Sequence, residues 1–245
     1  MVLEQGALAH LFERLGIDYS IEADQTLEEA CAKKGLDFDS VLLDIRTLES
    51  TRSYSFLHCD LWDVEFLIEY IVENHHRYLK ETIPILAAQL RKLIAAQGDE
   101  YPYLRPVSML FEGSAHEFEQ HMRKEEMILF PYLKSLASAK EFSRRRPMAP
   151  FHSVESPLKK MEEEHRETAQ VLNRIRGLLS DFKVPHGATP MHHAVIKGLQ
   201  ALIKDLHQHI HLENNMLFPR ARALEKYFAN GPTEPYPEET HSLHQ

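Results

Sequence analysis

Two stretches of the chain, HMRKEEMILFP (121–131) and HIHLENNMLFP (209–219), share a histidine, a glutamate four residues later and a Leu-Phe-Pro closure. Residues four apart on a helix stand one turn apart on the same face, with about 5 to 6 Å between Cβ atoms. Each pair therefore offers one imidazole nitrogen and one carboxylate to a common point. That mixed donor set suits iron or manganese, with zinc or copper less favoured. The chain is also rich in histidine, with 16 among 245 residues.

The apolar stripe of each helix, written at alternating steps of three and four, shows which histidines share a face with these pairs. Val107, Phe111, Phe118 and Ile128 line up with His121 and Glu125, and Val195, Leu199, Leu206 and Met216 line up with His209 and Glu213. A third stripe, through Leu158, Met161, Leu172 and Ile175, carries His165. A fourth, through Phe66, Val72, Leu79 and Ile83, selects His76 over His75 and also carries Glu69 as an extra carboxylate, expected to support a ligand, relay a proton or lean outward into solvent. His207 and His211 fall on either side of the His209 stripe and are expected to be solvated or interfacial.

Four imidazoles and two carboxylates thus point inward: His76, His121, Glu125, His165, His209 and Glu213. No arginine or lysine stands on these stripes, and burying a carboxylate ionised and unpaired costs on the order of several kcal/mol. A metal ion is the expected counterpart. Six nitrogen and oxygen ligands without a cysteine are too many for one tetrahedral zinc and suit two ions bridged by the carboxylates. His76 precedes His121 by 45 residues and His165 precedes His209 by 44, so each half of the chain contributes His, then His-Glu.

Four long amphipathic segments carry these residues, at roughly 60–96, 104–140, 153–182 and 190–229. The breaks between them are QGDEYPYLRP (97–106), SRRRPMAP (143–150) and PHGATP (185–190). The expected fold is all-α, an up-down-up-down four-helix bundle. Shorter helices before it, with Thr26 as an N-cap, suggest a division into a small helical N-terminal domain (1–57), a bundle (58–229) and a flexible tail (230–245). Proline inside a helix removes a backbone donor, so each Leu-Phe-Pro closure implies a local helix adjustment.

Composition narrows the function classes. With 28 Lys and Arg against 37 Asp and Glu, the formal charge is −9, which argues against a sequence-independent grip on nucleic acid or an anionic membrane. The chain shows neither a membrane-length apolar run nor an export signal, so cytoplasmic residence is expected. Cys31 and Cys59 form no CxxC pair, and no disulfide framework is expected.

HHRYLKETIP, HMRKEEMILFP, EEEHRET and HLENNMLFPR, in this order, resemble the four bundle motifs of hemerythrin-like proteins, and within them the repair-of-iron-centres family. The resemblance extends to about residue 225. It implies an oxo-bridged non-haem di-iron centre held by His76, His121, Glu125, His165, His209 and Glu213, with the two glutamates bridging; manganese and zinc are the alternatives. It also implies protection or repair of iron–sulfur enzymes after nitric oxide or oxidative damage. That family carries Cys-Cys-Gly-Gly after an Asp-Tyr pair in its N-terminal domain. Here Asp18 and Tyr19 are followed by Ser20, Ile21, Glu22 and Ala23, so the thiols that could bind or relay nitrosyl, iron or electrons are missing. Cys31 reads as a small buried apolar residue instead.

The expected function is that of a di-iron protein of nitrosative and oxidative stress. Its small ligands would be O2 and NO, and its partners damaged iron–sulfur proteins. The alternative is a hemerythrin-like sensor or storage protein that holds O2, NO or iron without repairing anything, a reading that the missing cysteines favour. A purely structural metal ranks last, because six shared ligands plus a bridging oxo group leave two octahedral irons incompletely filled. Other residues take plainer readings: SRRR (143–146) as a solvated loop, Trp62 as a core anchor, and Tyr78 and Tyr132 as packing beside the ligand turns. The sequence leaves open whether the protein is an enzyme, and what its oligomeric state is.

Overall fold

A computed structural model describes residues 6–21, 25–50 and 62–230. The expected boundary near 57, Cys59, Glu22, Ala23 and the tail from 231 lie outside the described residues. Among those residues the protein is all-α, with no strand.

Four rods form the bundle. The first is α4 (Val64–Tyr70), a π turn (Ile71–His76) and α5 (Arg77–Gln97). The second is α6 (Leu104–Lys124), a π turn (Glu125–Leu129) and α7 (Phe130–Glu141). The third is the unbroken α8 (Glu155–Leu178), and the fourth is α9 (Pro190–Leu212), a π turn (Glu213–Leu217) and α10 (Phe218–Asn230). Rods consecutive in sequence pack on one another, and the first closes the ring against the fourth through α5 and α9. This is the expected up-down-up-down bundle. Local chemistry sets the rod starts: the Asp63 carboxylate accepts from the Phe66 amide at 2.7 Å, and the Thr189 hydroxyl accepts from the His192 amide ahead of Pro190 at the first turn. Gly198 lets α9 approach α5 closely, since a Cβ there would lie 2.5 Å from a Leu86 methyl.

The π turns answer the Leu-Phe-Pro expectation. Phe130 and Phe218 each donate to the carbonyl five residues back, that of Glu125 and of Glu213, immediately before Pro131 and Pro219. A proline ring clashes with the carbonyl four residues behind it, and the wider turn relieves that clash. The π turn at Ile71–His76 forms without a proline. Two apolar cores fill the bundle, one around Leu79, Leu90, Phe111, Leu172 and Leu199, the other around Leu67, Phe130, Leu133, Leu158 and Phe218. The inward polar residues lie between them.

Ahead of the bundle, α1 (Gly6–Leu15), α2 (Leu27–Lys34) and α3 (Phe38–Ser50) close a separate small core that includes Leu8, Phe12, Cys31 and Ile45. Cys31 is buried there as an apolar filler. Thr26 makes a reciprocal capping box with Glu29. The loop after α1 lies on the fourth rod: the Asn215 amide donates to the Tyr19 carbonyl and the Asn214 amide to the Ser20 carbonyl, both at 3.2 Å. The Tyr19 ring meets His211 edge-on at 5.2 Å. His211 is thus interfacial, one of the two expected positions.

Candidate metal centre

Helix interruptions place five of the six inward residues. His76 ends the first π turn, Glu125 and Glu213 open the other two, and His121 and His209 lie one turn before those glutamates. His165 comes from the middle of α8. All six are buried, with no more than 4% of any exposed.

They converge as two groups that share both carboxylates: His76, His209, Glu125 and Glu213, and His121, His165, Glu125 and Glu213. Within the first, the Nε2 atoms of His76 and His209 are 3.1 Å apart, and His209 Nε2 lies 3.0 Å from Glu213 Oε1. Within the second, the Nε2 atoms of His121 and His165 are 3.0 Å apart; each lies 3.1 Å from a carboxylate oxygen, of Glu125 and Glu213 respectively. All four carboxylate oxygens are buried and accept no hydrogen bond. Separations near 3 Å are what cis donors show on an octahedral ion with bonds of about 2.1 Å. The donor set therefore fits a pair of cations, and the oxygens left unpaired by the protein are the ones such a pair would satisfy.

Behind the rings, a second layer fixes their orientation. His76 Nδ1 meets Glu126 Oε1, His121 Nδ1 meets Glu164 Oε2 and His165 Nδ1 meets Asn214 Oδ1, each at 2.8 Å. Lys80 pairs with Glu126 and Lys124 with Glu164. His209 Nδ1 is buried without a hydrogen-bond partner, and the His75 ring stacks on His209 at 5.8 Å while its Nδ1 is held by Asp205 at 3.0 Å. Such partners select the tautomer that turns Nε2 inward and raise its basicity.

Burial and the inner glutamates set the electrostatics, and the outer layer adds to them. Burial opposes charge on His121, yet Glu125 and Glu164 lift its pKa to about 10. His76 is likewise raised against its burial by Glu125, Glu213 and Glu126. His209 is lowered, with burial outweighing Glu213. Burial would raise Glu213, but His209 and His165 hold it well below the usual carboxylate range. Glu164, with the His121 ring and Lys124 on it, is drawn down to about 2.

The apolar stripes carry the six inward residues but not the outer layer. The signal was adjacency: Glu126 and Asn214 directly follow the inward glutamates, and His75 and Glu164 directly precede the inward histidines of the first and third rods. Glu69 instead faces outward and pairs with Lys134. Trp62 packs against Phe66 and Tyr70 in the second core, as an anchor should. Tyr132 is buried in the second core and accepts from Arg146, which also pairs with Glu225; SRRR is therefore tied down at its last residue. Tyr78 packs on the first core. A cavity of about 250 Å³ between α6 and α8, lined by Gln120, Lys124, Glu164 and Thr168, reaches His121 and His165.

A helical bundle with paired His-Glu turns feeding one buried cluster defines a cation-binding class, and the chain belongs to it: the family model for the hemerythrin HHE cation-binding domain matches residues 67–221. More particularly, the chain is 28% identical over 213 residues to the iron-sulfur cluster repair protein ScdA of Staphylococcus epidermidis, covering 86% of this chain and 91% of the relative. It is 30% identical over 211 residues to the iron-sulfur cluster repair protein YtfE of Yersinia pseudotuberculosis, with 86% and 89% covered. The Yersinia pestis YtfE protein matches to the same extent. Among the described residues no helix is long and apolar enough to cross a membrane.

Proposed function

We propose that this protein is a non-haem di-iron protein of nitrosative and oxidative stress that protects or repairs iron–sulfur centres. The observation that carries the metal pair is the set of four buried, unbonded oxygens of Glu125 and Glu213 between four imidazoles. In this reading His76 and His209 ligate one ion, His121 and His165 the other, and Glu125 and Glu213 bridge. Manganese or zinc is compatible with the donors; iron is favoured by the names of the relatives, which also supply the target.

When bound, the metal pair supplies Lewis-acid and redox chemistry toward small diatomic molecules such as NO and O2. The chain's own residues do the rest. Glu126, Glu164 and Asn214 hold three rings with Nε2 inward, the two apolar cores exclude bulk water, and the 250 Å³ cavity offers a small molecule a path to His121 and His165. Residues 1–57 act in this proposal as a cap on a bundle of residues 58–229, working in the cytoplasm.

One observation favours the second reading, a sensor or storage protein without repair activity. Ser20 stands where the thiol motif would begin; it is fully buried and its hydroxyl donates to Asp18 at 2.5 Å. No thiol at this position can take iron or nitrosyl.

The test is a metal count and a visible spectrum on tag-free protein, with Glu213→Ala beside it. About two irons per chain with an oxo-to-iron charge-transfer band, both lost in the variant, is the expected result. No metal after iron reconstitution, or an unchanged count in the variant, defeats the metal assignment. With metal present, reactivation of a nitric-oxide-damaged iron–sulfur enzyme separates repair from mere binding.

A further inference from the structure

A second cavity, of about 600 Å³, opens where the loop after α1 meets α8 and α9, away from the six inward residues. Its size lies within the range of small-molecule sites, about 300 to 1,000 Å³. We propose that it binds a small organic anion bearing a multiply charged oxyanion group, a phosphate ester or polycarboxylate, and that the bound anion fastens the N-terminal helices to the bundle.

Charge is the first argument. The chain carries a formal charge of −9, yet four cations, Arg14, Arg176, Lys197 and Lys204, line this cavity against two carboxylates, Asp18 and Asp181; Arg14 also meets Asp44, outside the lining, at 3.3 Å, and the local balance stays positive. A cavity of sign opposite to its protein concentrates anions. Arg176 gives its Nε to Asp181 at 2.6 Å, and its terminal nitrogens lie against Gly16, whose φ of 71° turns the chain into the loop. Planar guanidinium groups suit oxyanions because they offer paired donors.

The second argument is what the walls supply. His207 lines the cavity, and its Nε2 is buried without a hydrogen-bond partner. Buried polar atoms are rarely left so, and a ligand acceptor or donor would complete it. Ile17, Phe182 and Ile203 form an apolar wall for an organic body. Ser180, Asp181 and Phe182 are three successive non-glycine residues with φ of 48°, 60° and 59°. That left-handed run holds Asp181 and Phe182 on the cavity rim, and strain of this kind collects at ligand clamps.

The third argument is position. Arg14 comes from α1 and Gly16, Ile17 and Asp18 from the loop after it, while the other walls belong to the bundle. An anion held by both sides would also steady Tyr19 and Ser20, whose carbonyls are bonded to Asn215 and Asn214.

Calorimetry on the full chain, metal-free and metal-loaded, tests this with inorganic phosphate, citrate and adenosine monophosphate as probes. Tighter binding of citrate marks a polycarboxylate site, and tighter binding of the nucleotide than of phosphate marks a phosphate-ester site. Arg14→Gln with Lys197→Gln, both at exposed positions, should weaken the preferred probe at least about tenfold, and Ala201→Glu should abolish its binding. Lys92→Gln, elsewhere on the surface, should change nothing. Hydrogen exchange at residues 14–21 should slow when the probe is bound. Three outcomes overturn the proposal: no binding by any probe at about 10 mM, binding undiminished in the double variant and in Ala201→Glu, or unaltered exchange at the loop. Because metal-free protein is one arm, failure here is separate from failure of the metal assignment.

Discussion

The two halves of the bundle build the same inner shell and different outer ones. Each half supplies His, then His-Glu, and each glutamate reaches both four-residue groups. The residue after the glutamate backs the first histidine of its own half: Glu126 behind His76, Asn214 behind His165. The residue before that first histidine lies behind the second histidine of the other half: Glu164 bonds His121, while His75 only stacks on His209. Where the first half's rings have carboxylates behind them, the second half's have an amide and an imidazole. The first half's imidazoles have pKa values raised against burial, by Glu125 foremost with Glu164 and Glu126 adding to it, while at His209 burial prevails and the pKa is lowered. Inner symmetry would satisfy the proposed metal pair, and outer asymmetry would give each ion one acid-backed ring and one neutral-backed ring. The second half is also the one that docks the N-terminal loop, through Asn214 and Asn215.

The largest effect tests the symmetric part. Glu125→Ala and Glu213→Ala should strip metal to the same degree, from about two ions per chain to fewer than one. A variant that keeps a full ion while its counterpart loses both would break the inner symmetry. The outer layer comes next. Glu126→Gln and Glu164→Gln should each weaken metal binding about 10- to 100-fold, the usual effect of losing a carboxylate behind a ligating imidazole. Asn214→Ala should cost only a few-fold, measured by competition with a chelator. An equal loss in all three would mean that the backing group's charge is irrelevant.

Protons should report the same asymmetry. In metal-free protein the His121 pKa stands at about 10, above its ordinary 6.5, so the ring is protonated at pH 7. Metal loading must displace that proton, and loading should release protons and weaken as pH falls. For the metal-free fold the sign reverses. A histidine whose folded pKa exceeds its unfolded one stabilises fully below the unfolded value, and that stability is lost as pH rises through the folded value. The urea midpoint of metal-free protein should therefore fall between pH 6.5 and 10, and His121→Ala should flatten that fall.

Much of this arrangement was legible in the sequence because periodicity reports which face a residue occupies. The four rods, the inward choice of His76 over His75 and the six converging residues all follow from three-and-four spacing. The outer layer was not legible for the same reason. Glu126, Asn214, His75 and Glu164 each sit one residue off a stripe, where a solvated face is the usual outcome. The π turns add an extra residue per turn beside three of the six inward positions, which shifts helical phase in a way that spacing does not register. The seating of Tyr19 and Ser20 on the fourth rod depends on contacts nearly 200 residues apart in sequence, and no local pattern encodes it.

The smallest effect bears on how the loop of Tyr19 and Ser20 is seated on the second half. Asn215 spends its amide on the Tyr19 and Ser20 carbonyls and on His211 Nδ1, and touches none of the six inward residues in these bonds. Asn215→Ala should therefore leave the metal count unchanged and cost about 1 kcal/mol, the scale of one net hydrogen bond. The loss should appear as faster hydrogen exchange confined to residues 17–21. Asn214→Ala removes a bond to the same loop, and also the bond to His165. It should loosen the loop to a similar degree while weakening metal binding as well. Faster exchange without any change in metal affinity in both variants would mean that the cap and the cage are energetically separate, despite sharing Asn214. A metal effect only in Asn214→Ala would identify that side chain as the joint between them.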